Sequence, residues 1–293
     1  MRGAVFALLI CLVGPVAAAG AVHVVDVRGR SVRLEAPARR VVSLTPHITE
    51  LLFVLGAQEV IIATVEHSDW PAEAREIPRI GDAFRVDRER LLLLNPELVV
   101  AWDSGTAVEL VEWLETRGMP VYVTDALKLA DIPRSLRDLG ALTGHEETAE
   151  KAATQFETGM AELAETHADV FPLRVFYQIA PRPLYTVGGT HIISEVLALC
   201  GGQNVFSELE ELASTVSVEA VIQTDPEVIL AGTWPQAASP LARWNAFPML
   251  TAVRNGAMFT VSADLLHRST PRMLEAVTSV CEFLETVRRE RAK

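Results

Sequence analysis

Apolar positions along this chain switch between two periods, and the switching predicts its elements. VHVVDVRGRSVRLEAP (Val22–Pro37) alternates apolar and polar residues on either side of Arg28-Gly29-Arg30, the pattern of a β-hairpin. RRVVSL (Arg39–Leu44) is a short apolar strand. Thr45-Pro46 then opens a helix through Leu55, with Thr45 as cap, Pro46 in the first turn and Gly56 at the end. EVIIATV (Glu59–Val65) is the next strand, and HSDWP (His67–Pro71) the loop behind it. Val86–Leu94 reads as helix, and Leu98–Trp102 and PVYVTD (Pro120–Asp125) read as strands. Strands alternating with helical patterns predict a parallel α/β sheet.

Glu146–His167 breaks that alternation. Ala149, Ala153, Phe156, Met160, Leu163 and His167 recur at spacings of four and three, one stripe of an amphipathic helix. About 22 residues at ~1.5 Å each make a rod of roughly 33 Å, long enough to cross between two lobes. LRVFYQIA (Leu173–Ala180) restarts the strand pattern, and Thr270-Pro271 opens a final helix over Pro271–Arg291. A continuous helix resists bending, so lobes joined by one are expected to close by small angles on a largely pre-formed cleft.

The two lobes also resemble each other. VDRERLLLLNPELVVAW (Val86–Trp102) returns 130 positions on as VSVEAVIQTDPEVILAG (Val216–Gly232), each copy carrying a Glu (Glu89, Glu219) seven residues before a Pro. PHITELLFVLG (Pro46–Gly56) is echoed by THIISEVLALCG (Thr190–Gly201). The order is kept, but any two strand-entry segments of α/β proteins share some of this pattern. Two copies at so long a period indicate a duplicated domain and not a solenoid.

Residues 1–21 read as a cleavable secretory signal: Arg2, an apolar run over Ala4–Val16 too short to span a bilayer, then small residues at Ala17–Ala21. A lipoprotein anchor at Cys11 fits less well, because Ile10 precedes it where a small residue is expected. The predicted division is a signal peptide (1–21), an α/β lobe (22–128), a helical region with the bridging helix (129–170) and a second α/β lobe (171–293). Of three cysteines, the mature chain would keep Cys200 and Cys281, and an oxidising compartment favours their pairing over a thiol metal site or nucleophile. A formal charge of −12 argues against nucleic acid, whose phosphates demand a basic face.

Ligands of open α/β sheets sit outside the carboxyl ends of the strands. Those ends carry Pro46, His47, His67, Trp70 and Trp102 in the first lobe, and Tyr185, Trp234, Asp264, His267 and Arg268 in the second. Trp102 could lie flat on a ligand or plug a strand end. Tyr185 could touch a ligand or cap its own loop. His67 could ligate cobalt or iron, or hydrogen-bond at the surface. Asp264 and Arg268, four apart, could bind amide groups or simply pair. Glu89 and Glu219 could answer the helix dipole or form a matched pair for a basic two-fold partner. No Gly-x-Ser-x-Gly, Walker loop or His-Glu-x-x-His occurs, so an enzyme is not expected.

LTPHITELLFVLG, HSDWP, ERLLLLNPELVVAW, LCGGQNVF and DLLHRSTPRM occur in this order from end to end. With them the mature chain resembles the cobalamin-binding periplasmic proteins of bacterial ABC importers, a class that also binds haem and ferric siderophores. The resemblance implies two Rossmann-like lobes with parallel sheets joined by one long helix, no cofactor, a monomer, and delivery of ligand to transporter membrane subunits. It implies ligand contacts from Trp102, Tyr185, Asp264 and Arg268, a Cys200–Cys281 disulfide, and transporter contacts from Glu89 and Glu219. The chain departs from the family at His67, where a Tyr is usual, at Ala83-Phe84 and at Ala213, where a Trp is usual. Those departures keep another corrinoid, haem or a siderophore open, with His67 as an axial ligand. From other classes, a secreted metal-dependent enzyme or a signalling ectodomain would fit the same composition.

Overall fold

The computed structural model describes residues 20–82, 85–234 and 239–291. The expected signal peptide, Cys11 and Ala83-Phe84 lie outside the described residues, apart from residues 20 and 21.

In the first lobe a hairpin of β1 (Val22–Val25) and β2 (Ser31–Leu34) precedes a parallel sheet. That sheet holds β3 (Val41–Ser43), β4 (Ile61–Ala63), β5 (Leu98–Trp102) and β6 (Val121–Thr124), in the order β4-β3-β5-β6. Helices α1 (Pro46–Val54), α2 (Arg88–Leu94) and α3 (Val108–Glu115) connect them. The second lobe has β7 (Leu173–Gln178), β10 (Gly202–Asn204), β12 (Val228–Thr233) and β13 (Met258–Ser262), in the order β10-β7-β12-β13. A small antiparallel sheet of β8 (Ala180–Pro181), β9 (Leu184–Val187) and β11 (Ala213–Thr215) adjoins it. Its helices are α6 (Ile192–Leu199), α7 (Val218–Thr224), α8 (Thr251–Arg254), α9 (Ala263–Leu266) and α10 (Met273–Arg291). In both sheets the first strand lies between the second and third. The central strands are buried on both faces, which is why they read as apolar runs without alternation.

The 130-residue repeat is a helix–turn–strand unit built twice by the same chemistry. Asp87 caps α2 by accepting from Arg90 N–H at 2.9 Å, and Ser217 caps α7 by accepting from Ala220 N–H at 3.1 Å. Both helices stop on a left-handed residue, Asn95 (φ 43°) and Asp225 (φ 39°), just before the Pro that cannot continue a helix. Their last carbonyls are met by arginines: Arg40 donates to Leu94 O, and Arg174 donates to Thr224 O at 2.6 Å. The duplicated Glu89 and Glu219 occupy the first turns and face solvent.

The predicted long helix is α5 (Glu146–Thr166), but it does not cross alone. It packs antiparallel against α4 (Asp131–Thr143), and both helices feed both cores. Ala149 and Ala153 of α5, with Leu136, Leu139 and Leu142 of α4, enter the first-lobe core. Phe156 and Met160 of α5, with Ile132 of α4, enter the second. Gly140 lets them meet, since a Cβ there would sit 2.4 Å from Ala149 Cβ. Arg137 of α4 ties Glu150 and Glu157 of α5, at 2.7 Å to each.

Cys200 and Cys281 form a disulfide, with 4.7 Å between their Cα atoms. It fastens the end of α6 to α10 inside the second core and spans 81 residues. Chain entropy alone would make such a crosslink worth roughly 4 kcal/mol.

Candidate functional site

A cavity of about 320 Å³ opens between the carboxyl ends of the two sheets. The first lobe contributes His47 from the first turn of α1, Trp102 from the end of β5, and Ser104 and Asp125 from the loops behind β5 and β6. The second lobe contributes Ile179 behind β7, His191 at the N-cap of α6, and Leu266 and His267 at the end of α9. An adjoining cavity of about 500 Å³ shares Ile179 and runs past Gly232 to Trp234. Parallel strands end on one side of each sheet, so two facing lobes leave loops, and not packed elements, at their junction. Both volumes fall within the range of small-molecule sites.

Trp102 is held on several sides. Its Nε1–H donates to Asp125 Oδ1 at 2.9 Å, and His47 meets the ring edge-on at a centroid distance of 5.3 Å. Asp125 also accepts from Ala126 N–H at 2.8 Å and from the Ser104 hydroxyl. The six-membered ring of Trp102 lies over Gly105, where a Cβ would come within 2.1 Å of Cε3. Gly105→Ala is therefore expected to swing the indole out of place while leaving both sheets intact. Near-ultraviolet circular dichroism should change at an unchanged far-ultraviolet spectrum; unaltered indole signals would refute the contact.

The cavity holds three imidazoles, and burial keeps all of them uncharged near neutrality. Loss of hydration pushes His47 down to about 4, with Asp125 opposing the shift and Arg268 adding to it. It pushes His191 down to about 4 against the pull of Asp125, and His267 down to about 4 with His191 assisting. His47 was anticipated from its strand end. His191 was not, although the repeat carries the signal: Thr190-His191 stands where Pro46-His47 stands in the first copy. Duplication thus sets one imidazole from each lobe against the cleft.

Other anticipated residues lie elsewhere. Pro46 starts α1 beside His47 but does not line the cavity. His67 is exposed at φ 65°, and its carbonyl accepts from Arg268 at 3.3 Å. Tyr185 sits half-buried on β9, between the edge partners Ala180 and Thr215. Asp264 and Arg268 do pair, at 2.8 Å, but they are directed at the first lobe and not into the cavity. Arg268 reaches Asp69 at 2.9 Å and Glu50 at 3.7 Å, both across the junction. Glu50 further accepts from the Thr270 hydroxyl at 2.6 Å and from Arg272 at 3.1 Å. The Arg272 guanidinium lies 3.9 Å over the Trp70 ring. This cluster is a second fastening between the lobes, beside the helical hairpin. Spacing shows only Asp264 and Arg268 as neighbours; their partners are about 200 residues away along the chain.

Among the described residues no group of three or more His, Cys, Asp or Glu could hold a metal ion. None of the described helices is long and apolar enough to cross a membrane.

Sequence and fold comparisons agree with one another. The chain is 34% identical over 257 residues to the vitamin B12-binding protein of Vibrio campbellii, covering 87% of this chain and 92% of that one. It is 36% identical over 252 residues to the vitamin B12-binding protein of Pectobacterium atrosepticum, covering 84% and 88%. The crystal structure of the periplasmic vitamin B12-binding protein of Vibrio cholerae superposes with a TM-score of 0.80 at 33% identity, over 86% of this chain and 98% of that chain. A periplasmic haem-binding protein of Roseiflexus sp. RS-1 shares the fold, with a TM-score of 0.74 at 22% identity. The sequence profile of the periplasmic binding proteins matches residues 41–265, and with this two-lobed architecture the chain belongs to the periplasmic binding protein family.

Proposed function

We propose that this protein is exported by its N-terminal signal, captures cobalamin or a related corrinoid between its lobes, and delivers it as a monomer to an ABC importer. It binds and does not turn over its ligand. The observation that carries this reading is the inter-lobe cavity, which sets Trp102, three uncharged imidazoles and apolar groups against one another. Such a wall suits a broad, flat, largely uncharged ligand with a few polar edges. The relatives named for vitamin B12 align over most of the chain and support the corrinoid.

Trp102 and His47 would touch the ligand directly. Tyr185 and His67 would reach it only at the rim, and Asp264 with Arg268 would act mainly through the inter-lobe cluster. Glu89 and Glu219, exposed at equivalent positions of the two lobes, would meet basic groups on paired membrane subunits. Haem is the second reading, because a neutral imidazole facing the cleft is a competent axial ligand.

Titrating purified protein with cyanocobalamin and with haemin, followed by calorimetry and visible absorption, tests the ligand. Tight cyanocobalamin binding is expected; haemin binding without cobalamin heat would reject the corrinoid. Reversing the charge of Glu89 and Glu219 together should abolish uptake at unchanged ligand affinity. Weakened affinity would place these carboxylates in the pocket instead.

A further inference from the structure

His191 and His267 are the cavity imidazoles of the second lobe, and the fold fixes which nitrogen of each carries the proton. Ile193 N–H donates to His191 Nδ1 at 3.0 Å, as part of capping α6. A neutral ring whose Nδ1 accepts must carry its hydrogen on Nε2. In His267 it is Nε2 that is engaged, 2.6 Å from the Tyr177 hydroxyl. Tyr177 is buried, and its hydroxyl has no other hydrogen-bond partner among the described residues. That hydroxyl satisfies its own hydrogen only by donating to His267, so His267 holds its proton on Nδ1. The two remaining N–H groups are not buried orphans, and both side chains line the cavity.

The opposite wall has the opposite character. Asp125 lines the same cavity from the first lobe, and its charge acts on His191 across the cleft. Trp102, Ser104 and Ala126 hold its carboxylate in place. Donors on one wall and a carboxylate on the other thus line one cavity.

We propose that this cleft reads a primary carboxamide: His191 Nε2–H and His267 Nδ1–H donate to its carbonyl oxygen, and Asp125 accepts from its NH₂. A carboxylate in the same place would supply no hydrogen to Asp125 and would be repelled by its charge, and two uncharged imidazoles would not compensate. The subsite therefore selects carboxamide over carboxylate by an unpaired and repelled group as much as by attraction. This rests on the corrinoid reading above, since a corrinoid is edged with primary carboxamides, and it deepens that reading by giving the cleft a reason to reject carboxylate-edged macrocycles such as haem.

Nitrogen-15 spectra of labelled histidines test the donor pair without ligand. The expected result is the Nε2–H tautomer for His191 and the Nδ1–H tautomer for His267 at neutral pH; the reverse assignment for either overturns the proposal. Calorimetry then compares cyanocobalamin with the monocarboxylic acids made by hydrolysing its amide side chains one at a time. At least one monoacid should bind wild type about 30-fold more weakly, and Asp125→Asn should narrow that gap to about threefold. His191→Asn, which keeps an N-cap acceptor for α6, should weaken cyanocobalamin about tenfold. Equal binding of amide and acid forms overturns the carboxamide subsite alone. Failure of cyanocobalamin to bind while haemin is taken up overturns both the subsite and the corrinoid reading.

Discussion

Replacing Glu50 with alanine is expected to lower stability by about 3–5 kcal/mol, the usual cost of deleting one partner of a buried ion pair. Glu50 is only 1% exposed, so its environment in the fold is entirely protein. Burial raises its carboxyl above the ordinary range, while the Thr270 hydroxyl and the Arg272 and Arg268 guanidiniums oppose that shift. Alanine would leave Arg268, itself buried, without one of its carboxylates, and would strip Thr270 and Arg272 of an acceptor. Glu50→Gln should cost less, because its side-chain oxygen still accepts from Thr270. Urea unfolding midpoints of the two variants check this, and a loss below about 1 kcal/mol for alanine would mean that the cluster is not coupled to folding. The same substitution removes a first-lobe anchor for α9 and α10, so the lobes should also open more widely. Small-angle scattering of ligand-free protein is the corresponding measurement.

Acidification below pH 6.5 should destabilise the protein through its buried imidazoles. His47, His191 and His267 each lie near 4 in the fold, against an ordinary value of 6.5. The folded values are depressed, so the unfolded chain binds more protons than the native one between those limits. The stabilisation these rings provide as neutral groups is complete above pH 6.5 and is lost as the pH falls towards 4. Partial exposure to the cleft reduces the cost to roughly 1–2 kcal/mol for each ring. Together, at about 3–6 kcal/mol, they reach the lower end of an ordinary domain's stability of about 5–15 kcal/mol. Urea melts at pH 7, 5.5 and 4.5 should show the decline, and His47→Ala/His191→Asn/His267→Phe should flatten it. Parallel declines in wild type and triple variant would locate the acid sensitivity elsewhere.

The Glu50 cluster ties the lobes together in register, so it governs the shape of the cleft. The imidazoles line that cleft, so they set the character of its wall. Any cleft that must first be ordered binds more weakly by the cost of ordering it.

Most of the fold was legible along the chain, for reasons that are local. A short apolar run such as Leu98–Trp102, set off by Asn95-Pro96 ahead of it, reads as a strand covered on both faces, and Glu-x₆-Pro with a capping residue ahead of it writes the same helix–turn–strand twice. The stripe from Ala149 to His167 gave the bridging helix its length. Such features depend on residues within a turn or two of one another, so spacing records them. Pairing across the molecule leaves no such local record. Nothing in the spacing joins Arg268 to Asp69 and Glu50, brings α4 alongside α5 as a second crossing, or places His191 opposite Asp125. The Arg268 and His191 contacts link groups 66 to more than 200 residues apart, and only the packing of two lobes on a helical hairpin brings them together. Local spacing writes two similar α/β lobes and a link between them; the junction, with the cavity it encloses, exists only once they are packed.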